Sequence, residues 1–246
     1  LKQYRNLAFA IKENSKASHL QVALEKGFDQ LEKLGANQKA LIFTESRRTQ
    51  DYVVELLEMN GYKGKVIRFN GVNNDPKSNA IYKAWLKQHK DSDRITWSAS
   101  ADKRAALVDY FRDEATIMVA TEAAAEGINL QFCSLIVNYD LPWNPMKIEQ
   151  RIGRVDRIGQ QRDVEVFNFV LADTVENRVK DVLEEKLSVI LKEIGIDKYS
   201  DVLDSESAGI NFTDAYMNSI RNPKDISYNI KPIEEDLKKE VQNTVK

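Results

Sequence analysis

The sequence predicts an α/β protein in which a mainly parallel β-sheet lies between two layers of helices. Short, continuously apolar segments recur along the chain, as is typical of strands buried on both faces of a parallel sheet. Segments with apolar residues at helical spacing alternate with them, which favours right-handed β–α–β crossovers. A chain of 246 residues is long enough for one large domain, or for one domain with appendages.

The predicted elements follow one another in a regular order. A leading helix over residues 15–34 has apolar residues at helical spacing and ends before Gly35. The same criteria predict strands over 39–44, 65–69, 116–120, 135–139 and 164–170, and helices over 49–59, 75–89, 100–112, 147–156 and 174–194. After Gly195 the pattern weakens, and we expect short helices and a tail over 196–246.

Residues 72–99 interrupt the alternation and are interpreted as an insertion on the surface of the domain. Asp75-Pro76 predicts a helix start, because proline suits the first turn of a helix. Trp85 and Trp97 could stack on nucleic-acid bases, but packing in the interior is the interpretation that the sequence favours.

Composition and charge exclude several classes of protein. With 36 Lys and Arg against 38 Asp and Glu, the net charge is -2, so a basic surface for nucleic acid must be local. The single cysteine, Cys133, excludes an internal disulfide and a cysteine-rich zinc site, and it suits a reducing compartment. His19 and His89 are too few for a histidine-based metal site. No metal site is therefore predicted in this chain.

The sequence shows no signal for a membrane. No apolar run approaches the ~20 residues that cross a bilayer, and no signal peptide opens the chain. A cytoplasmic location is expected. The first residue is Leu1 rather than Met, which we interpret as the start of an excised piece of a longer protein.

No self-contained catalytic site is found. The phosphate loop of NTPases, G-x-x-x-x-G-K-[ST], joins a strand to a helix. Gly61 and Gly64 are too close for that motif and precede a strand, so they are interpreted as a tight turn. No Asp-Glu pair follows an apolar strand to hold magnesium, and no G-x-S-x-G hydrolase elbow is present.

An arginine-rich segment, residues 145–162, is the strongest chemical signal. Its five basic and two acidic residues give a local charge of +3. Arg154 and Arg157 lie three apart and would share a face of the predicted helix. Two forked guanidinium groups suit a polyphosphate. On charge alone, however, a solvated helix with charges in i,i+3 register is the favoured interpretation.

The residue patterns of this segment and of several others resemble the conserved motifs of a known family. Residues 150–160 resemble motif six of superfamily-two helicases, and the ending Arg157-Ile-Gly-Gln160 is typical of the Swi/Snf-like branch. Further resemblances follow in family order: 39–44 to motif four, 70–71 to a phosphate contact, 120–131 to motif five, 139–145 to the segment before motif six, and 173–176 to the start of a brace helix. Ala123-Ala-Ala-Glu126 is more similar to bacterial members, such as the group that recycles RNA polymerase, than to eukaryotic remodellers.

The resemblance implies a RecA-like three-layer sandwich with a C-terminal helical extension. The implied parts are a linker and leading helix over 1–35, a helicase C-terminal lobe over 36–172 that contains the insertion at 72–99, and a brace helix and helical tail over 173–246.

The resemblance also implies the C-terminal motor lobe of a DNA-dependent ATPase and translocase. ATP with magnesium would bind between this lobe and an N-terminal RecA-like lobe of the same protein, which would bring the phosphate loop and the magnesium ligands. Arg154 and Arg157 would reach the triphosphate as arginine fingers. Gly127 and Asn129 would approach the nucleotide, and Gln150 would orient the arginines. Asn129 is nearly as well explained as a turn residue.

Nucleic acid, expected to be double-stranded DNA, would cross the carboxyl ends of the strands, where open α/β sheets bind their ligands. The residues implied in this track are Thr44, Ser46, Arg47, Asn70, Gly71, Thr121 and Glu122, with Arg104 equally explained as a helix-surface charge. Two alternatives stay open. One is a strand-separating superfamily-two helicase, whose motif six usually opens with His instead of Gln150. The other is a non-enzymatic nucleic-acid-binding module.

Overall fold

The computed structural model describes residues 15–122, 127–142, 145–157, 159–160 and 162–170, together with isolated positions between 181 and 235. Five strands form one parallel sheet in the order β2–β3–β1–β4–β5. They are β1 (Ala40–Thr44), β2 (Val66–Phe69), β3 (Ile117–Thr121), β4 (Leu135–Asn138) and β5 (Glu165–Asn168). The predicted α/β class and parallel sheet are confirmed, and every residue of β1, β3 and β4 is buried, as their apolar runs predicted.

The described helices precede β1 or lie between successive strands, and two of them lie between β2 and β3. They are α1 (Ser15–Lys33), α2 (Arg47–Leu57), α3 (Pro76–Gln88), α4 (Ala99–Asp113) and α5 (Pro145–Ile152). A π-helical turn, Glu58–Tyr62, extends α2, and Gly61 within it has a φ of 96° that favours glycine. The predicted helix 174–194 and nearly all of the tail lie outside the described residues.

The chain divides into two compact units. The first comprises Leu1–Asp140 and Arg154–Phe169, and the second comprises Leu141–Gly153 and Val170–Lys246. The first unit contains the whole sheet and α1 to α4. The predicted division at residues 35 and 172 stays a prediction. No helix in the described part of the chain is long and apolar enough to span a membrane.

Helix α1 is part of the core of the first unit. Leu20, Leu24 and Leu31 are fully buried in the cluster that also contains β1 and β4 residues. At about 1.5–3 kcal/mol for each buried leucine, this face contributes substantially to folding. Gly27 allows the close approach, because a Cβ atom there would lie 2.6 Å from Leu135 Cδ2.

The segment between β2 and α4 is anchored by α3. The Asp75 carboxylate accepts the Ser78 N–H and caps this helix, as Asp75-Pro76 predicted. Trp85 is buried and donates from Nε1 to Asp109 Oδ2 of α4 at 2.8 Å, which confirms the packing interpretation. The same interpretation is wrong for Trp97, whose side chain is 92% exposed.

Helix α5 is shorter than predicted, because it ends at Ile152 instead of continuing to Asp156. The carbonyl groups of Arg154 and Val155 accept hydrogen bonds from outside the helix. The Leu130 N–H donates to the carbonyl of Arg154 at 3.0 Å, and Gln160 Nε2 donates to that of Val155 at 3.1 Å. Arg154 and Arg157 therefore lie on a turn after the helix, and the expected shared helix face is wrong.

Cys133 predicts a pH dependence of stability. Its thiol is fully buried and donates to the Lys39 carbonyl at 3.2 Å, and burial raises the pKa of Cys133 from 9.0 to about 12. Above pH 9 the unfolded thiol ionises while the folded thiol keeps its proton, so stability falls as pH rises from about 9 towards 12. Between pH 9 and pH 10, we expect the free energy of unfolding of the wild type to fall by about 1 kcal/mol more than that of Cys133→Ala, as measured by chemical denaturation. Equal pH dependence of the two proteins would contradict the assignment.

Candidate functional site

The carboxyl ends of three neighbouring strands form one edge of the candidate site. Thr44 ends β1 and pairs in register with Thr121, which ends β3. Phe69 of β2 pairs with Ala120, which places Asn70 next to the same edge. The residues that the sequence assigned to the nucleic-acid track from these strands thus share one edge of the sheet.

The side chains at this edge divide into buried and exposed groups. Thr44 and Thr121 are buried, and the Thr44 hydroxyl donates to the Ala120 carbonyl at 3.4 Å. Arg47, Ser46 and Gly71 are exposed, whereas Glu122 is half-buried. The Ser46 hydroxyl oxygen accepts the Thr49 N–H at 3.1 Å and caps α2. Among the predicted track residues at this edge, Ser46, Arg47 and Gly71 are therefore exposed to solvent. The side chains of the two threonines are buried and support the fold.

Asn70 shapes the turn that follows β2. Its side chain is buried, and Oδ1 accepts the N–H groups of Val72 at 3.1 Å and Asn73 at 2.8 Å. The Asn73 side chain in return accepts the Asn70 N–H at 2.7 Å. These bonds hold Gly71 in a fixed, exposed turn, so Asn70 acts on this edge through the backbone that it orders.

Gln50 is a residue of this edge that sequence reasoning missed. Its side chain is fully buried, and Nε2 donates to the carbonyl groups of Phe69 at 3.1 Å and Val119 at 2.7 Å. Its Oε1 accepts from Asn70 Nδ2 at 3.0 Å. Gln50 therefore joins the end of β2 and the middle of β3 to the Asn70 turn. The signal was available, because Gln50 lies on the apolar face of the predicted helix, three and four residues before Val53 and Val54.

The loop after β3 carries the predicted nucleotide contacts. Gly127 is exposed and has a φ of 74°, with no atom within 4 Å of where a Cβ would lie. Asn129 is exposed, and its Oδ1 accepts the Gln131 N–H at 3.1 Å. This bond makes Asn129 a turn former, as the alternative interpretation held. Gly127 offers an open backbone that a phosphate can approach.

The turn that carries Arg154 and Arg157, here called the arginine turn, is hydrogen-bonded to this loop. The Arg154 carbonyl accepts the Leu130 N–H, and Gln160 Nε2 donates to the Gln131 carbonyl at 3.0 Å. The Gln160 N–H closes the turn on the Arg157 carbonyl at 2.8 Å. Arg157 is exposed and Arg154 is half-buried. The first unit thus bonds the backbone that carries both arginines to the loop of Gly127 and Asn129, through a role of Gln160 that the site prediction did not include.

Gln150 and Arg104 are the remaining predicted contacts. Gln150 is an exposed residue of α5, in the second compact unit. Arg104, on α4, lines a cleft of about 700 Å³ together with Gly127 and Asn129. A residue assigned to nucleic acid and two assigned to the nucleotide therefore share one cleft. Within the described ranges, no three His, Cys, Asp or Glu side chains converge to form a metal site.

Comparison of the sequence with known proteins identifies the family of this chain. The model of the helicase conserved C-terminal domain matches residues 22–159. The uncharacterized ATP-dependent helicase YqhH of Bacillus subtilis (strain 168) is 39% identical over 185 residues, which are 75% of this chain and 27% of that protein. The RNA polymerase-associated protein RapA of Vibrio campbellii is 40% identical over 107 residues, 42% of this chain and 11% of that protein.

Solved structures include a similar chain, the C-terminal part of the Fun30 ATPase domain. It is 20% identical, with a TM-score of 0.45, and the match covers 65% of this chain and 43% of that one. This chain spans about a quarter of the length of the Bacillus subtilis relative. The family match extends over more than half of the chain, and the motif-five and motif-six segments lie side by side in a parallel α/β sheet domain. The chain therefore belongs to the helicase conserved C-terminal domain family, and its parallel α/β sheet is that of a RecA-like lobe.

Proposed function

We propose that this chain is the second motor lobe of a DNA-dependent ATPase and translocase, and that it supplies arginine fingers and part of the nucleic-acid track. The observation that carries the proposal is the attachment of the arginine turn to the Gly127–Gln131 loop by the Leu130–Arg154 and Gln160–Gln131 hydrogen bonds. The backbone that carries Arg154 and Arg157 is thereby bonded to a loop with an open glycine, which supports the proposal that the two guanidinium groups reach a triphosphate there.

ATP is the proposed nucleotide, with magnesium held by an N-terminal lobe of the same protein. Phosphoryl transfer depends on positioning and on stabilising charge at the transferred group, which the bound magnesium and the arginines provide together. The residues of this chain bind and orient the phosphates. Arg154 and Arg157 donate to phosphate oxygens, and Gln150 is proposed to orient the arginine turn. The Bacillus subtilis relative is named an ATP-dependent helicase, which supports ATP as the nucleotide.

Double-stranded DNA is proposed to lie along the carboxyl edge of β1, β2 and β3. Ser46, Arg47 and Gly71 are exposed there, and the buried Asn70 orders the turn that presents Gly71. Hydroxyl, guanidinium and backbone N–H groups hold phosphates without reading bases, so binding would depend little on sequence.

This chain alone is expected to have no ATPase activity, with or without DNA. The described residues include two arginines suited to phosphate oxygens, and the sequence contains no phosphate loop. The measurement is phosphate release by the purified 246-residue chain, compared with the full-length protein, after circular dichroism has shown that the chain is folded. DNA-stimulated ATP turnover by the chain alone would contradict the proposal that hydrolysis requires both lobes.

The full-length protein is expected to move along duplex DNA without lasting separation of the strands. The experiment compares displacement of a third strand from a triplex with unwinding of a forked duplex, at the same ATP concentration. Triplex displacement without unwinding supports the translocase. The alternative, a strand-separating helicase, is favoured by the name of the Bacillus subtilis relative. Robust unwinding without triplex displacement would establish that alternative.

A further inference from the structure

The cleft beside α4 is rich in arginine. Arg94, Arg104 and Arg112 line it, and Asp109 is the acidic residue among the described residues of its lining. The formal charge of this lining is +2, whereas the whole chain has a net charge of -2. The cleft is therefore a local basic surface of the kind that the overall composition required for contact with nucleic acid.

Asp109 fixes two of these arginines. Its carboxylate oxygens lie 2.8 Å from Arg94 Nη2 and 3.0 Å from Arg112 Nη1, and the two arginine side chains are still 48% and 46% exposed. Burial favours the neutral acid, but the Trp85 hydrogen bond and the two arginine charges together hold the pKa of Asp109 below its usual value. One ionised carboxylate cannot neutralise two guanidinium groups. Both arginines are thus oriented and still carry excess positive charge.

Trp97 adds an exposed aromatic ring at the rim of the cleft. It directly precedes Ser98, which lines the cleft, and its side chain is 92% exposed. Its φ of 64° is a left-handed backbone conformation that a bulky residue rarely adopts. Asp102 holds the preceding residue, accepting from Thr96 N at 2.9 Å and Thr96 Oγ1 at 2.7 Å. The backbone conformation of Trp97 disfavours folding, and its exposed ring gains no packing that would offset this cost, which points to a role in binding.

The cleft adjoins the proposed track. The Arg104 guanidinium lies 5.8 Å from the centre of the Phe69 ring, and Phe69 directly precedes Asn70. A strand that leaves the track at the Asn70 turn would therefore reach Arg104 first. Basic side chains that follow a phosphate backbone, combined with an aromatic ring on which a base stacks, are typical of single-strand binding surfaces.

We propose that this cleft binds a single-stranded segment of nucleic acid, with Arg94, Arg104 and Arg112 on backbone phosphates and Trp97 stacked on a base. The proposal rests on the proposed function as a nucleic-acid motor lobe, and it extends the track from Arg104 to Arg94, Arg112 and Trp97. It also assigns a role to the end of the 72–99 segment.

The test is fluorescence anisotropy of a labelled oligothymidylate of about 12 nucleotides, titrated with the 246-residue chain at several salt concentrations. Trp97→Gly should weaken binding about 5- to 100-fold, because a stacking partner is lost. Glycine suits the left-handed backbone, so the variant should fold at least as well as the wild type. Trp97→Phe should retain most of the affinity. Arg112→Gln should reduce the slope of log K against log salt by about 0.7, the contribution of one single-strand phosphate.

Three outcomes would overturn the inference. One is unchanged affinity of Trp97→Gly when Arg47→Ala, in the track, weakens binding. Another is failure of the wild-type chain to bind the oligonucleotide at low salt. The third is displacement of the oligonucleotide by magnesium-free ATP, together with a loss of ATP affinity in Trp97→Gly that equals its loss of oligonucleotide affinity. That result would assign the cleft to a mononucleotide. Failure of the proposed function is a separate result, namely a full-length protein whose ATPase does not respond to any nucleic acid.

Discussion

Replacement of Arg157 by alanine in the full-length protein is expected to lower ATP turnover by about 10³- to 10⁵-fold, the usual effect of losing an arginine finger. Arg157 is exposed on the turn that Gln160 closes, beside the Gly127–Gln131 loop. Its guanidinium would act on charge that develops during transfer, so turnover should fall far more than the affinity for an ATP analogue. Arg157→Lys should be nearly as inactive, because an ammonium group cannot reproduce the planar fork.

The matched control for this prediction is Arg162→Ala, an exposed arginine five residues beyond Arg157 and outside the motif. Its effect on turnover should be mild. Thermal unfolding should show that all three variants remain folded, since the Arg157 side chain is exposed. Near-normal turnover by folded Arg157→Ala would instead establish that the turn carries only solvated charge.

Replacement of Gln50 by leucine is expected to destabilise the protein by about 3 kcal/mol or more. The buried Gln50 amide makes three hydrogen bonds, to the carbonyl groups of Phe69 and Val119 and from Asn70 Nδ2. Leucine is similar in size but leaves these buried polar groups without that partner, at about 1–3 kcal/mol for each group left unsatisfied. The measurement is the free energy of unfolding of the 246-residue chain in urea.

Glu55→Leu provides the control for Gln50→Leu. Glu55 lies on the same helix and is exposed, so the same new side chain should change stability by about 0.5 kcal/mol at most. In the full-length protein, below the unfolding temperature of both variants, Gln50→Leu should also weaken DNA binding, because the Asn70 turn loses its anchor. Equal stability of the two variants would show that the Gln50 network contributes little.

The sequence by itself determined the elements whose causes are local. The apolar run of residues 40–44 predicts a buried strand without knowledge of its neighbours, and β1 is buried at every position. The apolar spacing of α1 and the stop at Gly35 are likewise local, as is the Asp75 cap of α3. The order of residues in segment 150–160 was sufficient to indicate the family, which the match over residues 22–159 confirms.

The tertiary structure decided the features that depend on partners far along the chain. Strand order follows from which strands exchange backbone hydrogen bonds, and no local pattern encodes that β3 lies between β1 and β2. Gln50 acquires its role only when Val119, 69 residues away, comes within hydrogen-bond distance. Trp97 is apolar, as a core residue would be, yet its position after the Thr96–Asp102 contacts leaves it in solvent.

The arginine turn shows the same limit in the candidate site itself. The sequence prediction continued the helix through Arg154 and Val155 to Asp156. In the folded chain the carbonyl of Arg154 bonds to Leu130 and that of Val155 bonds to Gln160. These bonds favour a turn after Ile152 over a further helical turn. The residue types that suit phosphate were thus readable from the sequence, whereas the position of their turn was set by hydrogen bonds to Leu130 and Gln131, well before it in the chain.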